Sequence, residues 1–351
     1  MRATGSRRIL STSPPLSPNL NGKGLERPMM LREDAVRISL LGMEMYPYGL
    51  CCAIGAACAL AAAVVVCRVR KTRPGTASLA CLLCLVLGIV CSRLAFCLLD
   101  QEFGSMIPFS AWFLADRGGW SLFGAIGGVM LGAWLSARIT GEKPARILDA
   151  ASVGMCLFIV AERLAEGRID GFNISRSLPE GTRAGGFFIV KDAYDLSYLA
   201  TYRIAAAFAA VLFLVLAFSM LRGRRQDGDT WIQFLILGGA GGILLESLRY
   251  DGFLEFSFVR FQQVLAAVML VWGLVLAARR SGRHGKGFVS GVTAVLVLAV
   301  GICIGIEFAL DRTSLSHVLL YVVMAAAVAV PVVFGFILLR RNNLTEGQNH
   351  S

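Results

Sequence analysis

The sequence predicts an all-α fold, a polytopic bundle of about nine transmembrane helices. Of its 351 residues, 56% are hydrophobic and 16% are charged, whereas soluble domains average about 45–50% and about 25%. The mean hydropathy is +0.67, and the hydrophobic residues are concentrated in runs separated by short basic segments. This composition excludes a soluble globular enzyme and also a disordered or fibrous chain.

Nine hydrophobic runs are each long enough to cross the hydrocarbon core of a bilayer, which requires about 20 predominantly apolar residues. The third run is rich in glycine, and the sixth is short and interrupted by the string GGAGG. Close helix packing explains the small residues Gly124, Gly128 and Gly132 of the third run, and Gly238 and Gly242 of the sixth, without a ligand. The nine runs are Tyr48–Cys67, Ser78–Leu99, Gly119–Arg138, Ile147–Ala165, Leu199–Leu221, Thr230–Ser247, Val259–Ala278, Phe288–Leu310 and His317–Leu339.

The charge of the chain is arranged by loop. Lys and Arg number 34 against 23 Asp and Glu, a net charge of +11, but this pattern is typical of topology determinants and no nucleic-acid partner is expected. The richer set of alternate loops is predicted to be cytoplasmic, which places the N-terminus outside and the C-terminus inside. Its basic residues are Arg68, Arg70, Lys71, Arg73, Arg138, Lys143, Arg146, Arg222, Arg224, Arg225, Arg279, Arg280, Arg283, Lys286, Arg340 and Arg341.

The first 47 residues contain the string STSPPLSPNLNG, whose composition is typical of disorder. Their basic residues lie on the side assigned to the outside, so the preferred interpretation is a natural start at Met43 or Met45, with the tail an extension. The predicted organisation is a disordered tail (1–47), a core of seven helices (48–280), an appended transmembrane hairpin (281–340) and a cytoplasmic tail (341–351).

The ten cysteines lie inside or at the ends of hydrophobic runs and are predicted to be small packing residues. The spacing Cys81-x-x-Cys84 indicates a thiol or zinc motif only in a soluble context. A metal site also needs further ligands, and the nearest histidine is far away in the sequence. The sequence therefore predicts no metal site and no cofactor.

Ionisable residues inside predicted spans are costly and therefore mark functional sites. Glu162 and Arg163 lie near the outer end of the fourth run, Arg203 near that of the fifth and Glu246 near that of the sixth. If the predicted topology holds, these four residues lie at one depth in the outer half of the bilayer. They are expected to face a common cavity.

Four strings resemble one family, the bacterial prolipoprotein diacylglyceryl transferases, which move a diacylglyceryl group from phosphatidylglycerol to a cysteine thiol of a prolipoprotein. The resemblance implies a multi-pass protein of the bacterial plasma membrane whose partners are phosphatidylglycerol, a prolipoprotein signal peptide and the lipid bilayer. The four strings, in order, are MYPYGLCCAIG (Met45–Gly55), DRGGWSLFGAIGG (Asp116–Gly128), ILDAASVGMCLFIVAERLAEGRIDGF (Ile147–Phe172) and LLESLRYDG (Leu244–Gly252).

The resemblance implies roles for individual residues. Arg163 and Glu246 match catalytic positions. The substrate-binding positions are Tyr48, Gly118, Gly119, Ser121 and Arg249.

The sequence departs from the family pattern at several positions. The family's active-site histidine falls on Phe123, an essential arginine falls on Gly242, and the asparagine of its Gly-Arg segment falls on Glu166. The His-Pro-x-Gln-Leu-Tyr-Glu string before the fifth helix is reduced to LATYR, in which Tyr202 remains.

A phosphodiester at the edge of the hydrocarbon favours a planar guanidinium that binds it bidentately. Arg163 is the predicted phosphate ligand, the alternative being an arginine that extends to the interface. Glu246 either holds such an arginine, accepts a proton, or forms a salt bridge with Arg249 one turn later. The acceptor thiol reacts as thiolate, and His317 is a base for it only if the appended hairpin packs at that depth.

Two alternatives to diacylglyceryl transfer remain. The first is a diverged relative that binds lipid without this activity. The second is a small-molecule transporter, which would show Gly- or Pro-broken helices at corresponding positions of two halves; the string GGAGG has no clear counterpart in the first half.

Overall fold

The computed structural model describes residues 38–40, 43–99, 109–112, 119–170, 176–178, 186–191, 196–221, 226–249, 255–256, 259–282, 286–313 and 315–349. Within these ranges the chain forms nine α-helices, one for each predicted run. The helices are α1 (Pro47–Val69), α2 (Thr76–Leu99), α3 (Leu122–Thr140), α4 (Pro144–Asp170), α5 (Thr201–Leu221), α6 (Asp229–Leu248), α7 (Phe261–Arg280), α8 (Lys286–Arg312) and α9 (His317–Asn349).

Eight of the described helices are long and apolar enough to cross a membrane, all except α4. The exception carries Asp149, Glu162 and Arg163 along its length. It lies inside the bundle, where its residues Ala150 and Val153 share an apolar core with residues of α1, α5 and α6. The prediction of an all-α polytopic bundle is therefore confirmed, and the chain is a multi-pass membrane protein.

Short antiparallel strands occupy parts of the connections. Strands β3 (Arg176–Ser177), β4 (Ile189–Lys191) and β5 (Ser197–Leu199) form a sheet in the order β3-β5-β4, and β6 (Glu255–Phe256) pairs with β7 (Val259–Arg260). Before α1, β1 (Ile38–Leu40) pairs with β2 (Met43–Met45). Residues 1–37 and 41–42, which make up most of the predicted disordered tail, lie outside the described residues.

Helix α3 begins at Leu122, three residues later than predicted, because of the turn before it. Gly119 has a φ of +78°, a left-handed conformation that glycine adopts without steric cost. Ser121 then caps the helix, its hydroxyl oxygen accepting a hydrogen bond from the Gly124 N–H at 3.2 Å.

The string GGAGG does not interrupt α6, contrary to the sequence-based interpretation, since Asp229–Leu248 is one continuous helix. Its glycines allow close packing against α7. A Cβ atom at Gly239 would lie 2.5 Å from the Leu270 nitrogen, and one at Gly242 would lie 2.9 Å from the Ala266 Cβ. The small residues do not break α6. They let the backbones of α6 and α7 approach each other.

The predicted glycine stripe of α3 packs against α2, as expected. A Cβ atom at Gly124 would lie 2.5 Å from the Ala95 Cβ, and one at Gly132 would lie 2.7 Å from the Cys84 nitrogen. Only glycine permits this helix separation, which places the start of α3 next to the end of α2.

The hairpin of α8 and α9 packs on α6 and α7 through a shared apolar core that includes Ile236, Leu274, Ile306 and Met324. Polar contacts reinforce it. The Gln263 Nε2 of α7 donates to the Glu307 Oε1 of α8 at 2.6 Å, which satisfies a carboxylate inside a span. The hairpin is therefore joined to the bundle by both apolar and polar contacts.

Four predicted cytoplasmic loops meet at one end of the bundle. The Arg73 N–H donates to Glu142 at 3.0 Å, and Arg146 pairs with Asp227 at 2.9 Å. Arg280 pairs with Asp229. These contacts join the α1–α2, α3–α4, α5–α6 and α7–α8 connections. These alternate loops therefore lie at the same end of the bundle. Their location on the cytoplasmic side of the membrane stays a prediction.

Buried Asp149 of α4 contributes to the same end of the bundle. Its two carboxylate oxygens accept the Gly228 N–H at 2.7 Å and the Trp231 N–H at 2.9 Å, at the start of α6. A carboxylate at a helix N-terminus satisfies free N–H groups and complements the helix dipole. Asp149 therefore has a structural role that couples α4 to α6.

Candidate functional site

A cluster of buried charged side chains lies at the opposite end of the bundle, where α4 and α6 end. Arg163 lies 2.8 Å from Glu166 and 3.4 Å from Glu162, measured between guanidinium nitrogen and carboxylate oxygen. The Arg163 and Glu166 side chains meet because residues three apart share a helix face. The predicted grouping of Glu162 and Arg163 is part of this cluster.

Glu166 connects α4 to the residue that follows α6. Its Oε1 lies 2.6 Å from the Arg249 Nη2, and its Oε2 lies 3.4 Å from the Arg249 Nη1. Arg249 has an extended backbone (φ −73°, ψ 148°) at the end of α6. The same carboxylate thus binds two arginines from different helices.

Glu246 completes the cluster from α6. Its Oε2 lies 3.9 Å from the Arg249 Nε. The salt bridge considered for this pair is present, but Glu166 is the nearer partner of Arg249. The five side chains, those of Glu162, Arg163, Glu166, Glu246 and Arg249, are between 9% and 19% exposed, and charges this buried require partners.

A cavity of about 80 Å³ adjoins the cluster. Arg163, Glu246 and Arg249 form its polar part, and the rest of the wall is mainly apolar. An apolar space with a few charged groups at one end suits an amphipathic ligand such as a lipid. The apolar and small residues of the wall are Leu122, Phe123, Ile126, Ile159, Ala205, Phe208, Ala209, Leu212, Phe234, Gly238, Gly242, Leu245 and Met269, together with Thr201 and Tyr202.

The turn before α3 holds one wall of this cavity in place. The Ser92 hydroxyl donates to the Ser121 carbonyl at 2.9 Å, and the buried Arg93 donates to the Gly119 carbonyl at 2.7 Å. Gly119 and Ser121 do not line the cavity themselves but position Phe123, which does. Gly118 lies outside the described residues.

Arg93, near the end of α2, is a positioning residue for this turn. Besides Gly119 it donates to the Trp112 carbonyl, and its guanidinium lies 5.6 Å from the Trp120 ring centroid. Its sequence signal is an arginine close to the end of a hydrophobic run, which several other arginines share.

Tyr48 lies beside the cluster and not in the cavity wall. It is hydrogen-bonded to Cys52 and is close enough to Glu162 and Glu166 to interact with them electrostatically. This proximity results from a close crossing of α1 and α4, since a Cβ atom at Gly55 would lie 2.6 Å from the Ala161 Cβ.

Two other sequence-predicted residues lie elsewhere. Arg203 was expected to lie in the cluster, but it does not. Its Nη1 donates to the Phe187 carbonyl at 2.7 Å, and its guanidinium stacks on the Phe187 ring. Its position at the first turn of α5 directs it to the segment before that helix. His317 is exposed at the start of α9 and does not line the cavity.

The cysteines of the Cys81-x-x-Cys84 motif point to separate partners. Cys81 contacts the Leu60 carbonyl of α1, and Cys84 contacts the Val129 carbonyl of α3. Within the described ranges, no group of three or more His, Cys, Asp or Glu side chains is placed to hold a metal ion.

A profile of the family described as prolipoprotein diacylglyceryl transferase matches residues 35–279. The chain belongs to this family. Relatives named phosphatidylglycerol–prolipoprotein diacylglyceryl transferase include a protein of Fervidobacterium nodosum, 24% identical over 58% of this chain and 70% of the relative. A relative from Oleidesulfovibrio alaskensis is 28% identical over 48% of this chain and 61% of the relative. A relative from Bacillus velezensis is 23% identical over 54% of this chain and 71% of the relative.

The match to the prolipoprotein diacylglyceryl transferase family ends before α8 begins at Lys286. It includes α1 to α6 and nearly all of α7, and therefore every residue of the cluster and of the cavity wall. Phe123 and Gly242, where the resemblance puts a histidine and an arginine of the prolipoprotein diacylglyceryl transferases, both line the cavity. Both of these positions therefore lie in the candidate site.

Proposed function

We propose that this protein transfers a diacylglyceryl group from phosphatidylglycerol to the thiol of the lipobox cysteine of a prolipoprotein. The sulfur forms a bond to the glyceryl carbon that carries the phosphate, and the bond between that carbon and the phosphate oxygen breaks. Glycerol phosphate leaves with the electron pair, and the thiol proton passes to a base or to solvent. The signal peptide of the prolipoprotein is the second substrate.

One observation carries the proposal: an apolar cavity ends at two arginines that the family match includes. Acyl chains suit the apolar wall formed by residues such as Ile126, Phe208 and Leu212. A guanidinium suits the phosphate and also the negative charge that grows on the leaving oxygen. Arg163 and Arg249 are the proposed ligands, with Glu246 holding Arg249.

A lipid-binding relative without the transfer reaction is the second candidate. Phe123 favours it, because a phenyl ring cannot accept the thiol proton and lies in the cavity wall. A small-molecule transporter is less well supported, because α6 is continuous through GGAGG, whereas broken helices are typical of transporter binding sites.

The proposed orientation places the N-terminus outside and the C-terminus in the cytoplasm of a bacterial cell. The basic loops that meet at one end support it, since cytoplasmic loops are enriched in Lys and Arg. In this orientation the cluster of Arg163 and Glu246 lies towards the outer leaflet.

The test is a transfer assay with purified protein, phosphatidylglycerol and a lipobox peptide. Thioether-linked diacylglyceryl peptide is the expected product, and a peptide with serine in place of cysteine is the matched control. Phosphatidylglycerol binding is measured on the same preparation. Binding without product would replace the transferase proposal with the second candidate, and neither binding nor product would exclude both.

A further inference from the structure

The phosphate-binding edge of Arg249 is occupied by a side chain of the protein itself. Both Nη atoms of Arg249 face the Glu166 carboxylate, at 2.6 Å and 3.4 Å. This terminal fork is a geometry with which arginine binds a phosphate bidentately. The Arg163 Nη1 also donates to Glu166, at 2.8 Å.

Among the described residues, the cluster contains more carboxylates than guanidinium groups. Arg163 and Arg249 face three carboxylates, those of Glu162, Glu166 and Glu246. The Glu162 Oε2 lies 3.4 Å from the Arg163 Nε but accepts no hydrogen bond from a described residue. Charges in such a place are weakly screened, and an added phosphate increases the repulsion among negative groups.

Arg249 and Glu166 differ in their access to the cavity. Arg249 and Glu246 line it, whereas Glu166 contacts Arg249 from beside it. The Arg249 Nε already lies 3.9 Å from Glu246. Because Arg249 lines the cavity, a rotation of its side chain away from Glu166 would make its fork available to a ligand there.

We propose that Glu166 is an internal competitor for the lipid phosphate, a specificity-determining residue that binds the guanidinium groups of Arg249 and Arg163 with which the phosphate would pair. Binding of an anionic phospholipid requires Glu166 to release at least one guanidinium fork. Glu166 thereby lowers the affinity of the site for anionic headgroups. This inference rests on the proposed function for the nature of the ligand, a lipid phosphodiester.

The experiment compares Glu166→Gln and Glu166→Asn with the charge-retaining Glu166→Asp. Binding of dioleoylphosphatidylglycerol and of phosphate-free dioleoylglycerol is measured by lipid titration in detergent. Glu142→Gln, which removes an ion-paired carboxylate at the opposite end, is the matched control. Both neutral variants are expected to bind phosphatidylglycerol roughly tenfold or more tightly than the wild type, since like-charge juxtaposition is costly. Glu166→Asp, Glu142→Gln and dioleoylglycerol binding are expected to change little.

Unchanged or weaker phosphatidylglycerol binding by the neutral variants overturns the proposal and makes Glu166 a structural bridge. Failure of both neutral variants to reach the wild-type fold has the same meaning. The transfer assay on the same preparations separates this outcome from the function. Tighter binding without thioether product refutes the transferase function and supports the role of Glu166 as a competitor. Product with unchanged binding supports the transferase function and refutes the role of Glu166.

Discussion

Glu166 on α4 and Arg249 beyond the end of α6 form an ion pair in the buried cluster, with 2.6 Å between Oε1 and Nη2. This pair joins two helices that are separate in sequence and fixes the polar end of the cavity. The periodicity of α4 or α6 does not predict this contact, because it pairs each residue only with neighbours on its own helix.

Arg163→Lys is expected to weaken phosphatidylglycerol binding clearly, because lysine keeps the charge but lacks the planar fork. Arg163→Ala removes the charge as well and leaves the buried Glu162 and Glu166 short of a partner. Such a loss typically costs about 3–5 kcal/mol of stability, so this variant should also unfold at a lower temperature. Lipid titration and thermal unfolding in detergent measure both effects.

The matched control for Arg163→Lys is Arg138→Lys. Arg138 lies near the C-terminal end of α3, where its guanidinium stacks on Trp134. This variant should leave lipid binding unchanged. Equal phosphatidylglycerol binding by the wild type, Arg163→Lys and Arg163→Ala would show that Arg163 only pairs with its glutamates.

Phe123→His is expected to raise the transfer rate at neutral pH. General-base assistance typically contributes about 10²–10⁴-fold, and the ring at this position lines the cavity. Without a base, the wild-type rate should rise with pH towards the cysteine pKa of about 8.5, and the histidine should flatten that rise. The measurement is the initial rate of thioether formation between pH 6 and pH 9.

Phe208→His, in the same cavity wall on α5, controls for a histidine placed nearby without the family position. A comparable rate increase in both variants would argue against a specific proton-transfer role at residue 123. No product at any pH, in the wild type or in Phe123→His, would leave only the lipid-binding relative.

Gly239→Ala is expected to destabilise the protein, because its Cβ would lie 2.5 Å from a backbone nitrogen of α7. Overpacking of this kind typically costs about 1–3 kcal/mol. The adjacent Gly238→Ala is the control, since its Cβ would lie 3.5 Å from the flexible end of Met269. It should be close to neutral or stabilising, since alanine favours a helix. Thermal unfolding of both variants tests the close packing, and equal losses would contradict it.

Acid is expected to destabilise the basic end of the bundle. Burial raises the pKa of Glu142, but the N–H groups of Arg73 and Lys143 and the Arg146 guanidinium outweigh it, so the folded pKa lies below the ordinary value. Burial of Asp227 is likewise outweighed, by hydrogen bonds from Arg146 and Lys143. Carboxyl groups with lowered folded pKa values stabilise the fold above their unfolded pKa of about 4, and this contribution is lost as pH falls through the folded pKa.

Thermal unfolding from pH 7 to pH 3 measures this effect. The variant Glu142→Gln/Asp227→Asn should be less stable than the wild type at pH 7 and should lose less on acidification. Parallel curves for the two proteins would show that other carboxyl groups, such as Asp149, cause the acid sensitivity.

The helices and the membrane class were predictable because hydrophobic length is a local property of the chain. Runs such as Tyr48–Cys67 need no partner to be recognised, and each coincides with a helix. The glycine stripe of α3 was predictable for the same reason, since small residues at a spacing of four lie on one face. The break assigned to GGAGG was wrong because a glycine string reads alike whether it ends a helix or permits close packing.

The composition of the site depended on tertiary structure. Arg163 and Glu246 could be selected as ionisable residues within apolar runs, but the position of Arg203 on its helix does not show that its partner is the Phe187 carbonyl. Glu166 was identified only as a departure from the family pattern. Its role depends on where α6 ends relative to α4, and that distance is set by the packing of side chains from α1, α5 and α7, which no single segment encodes.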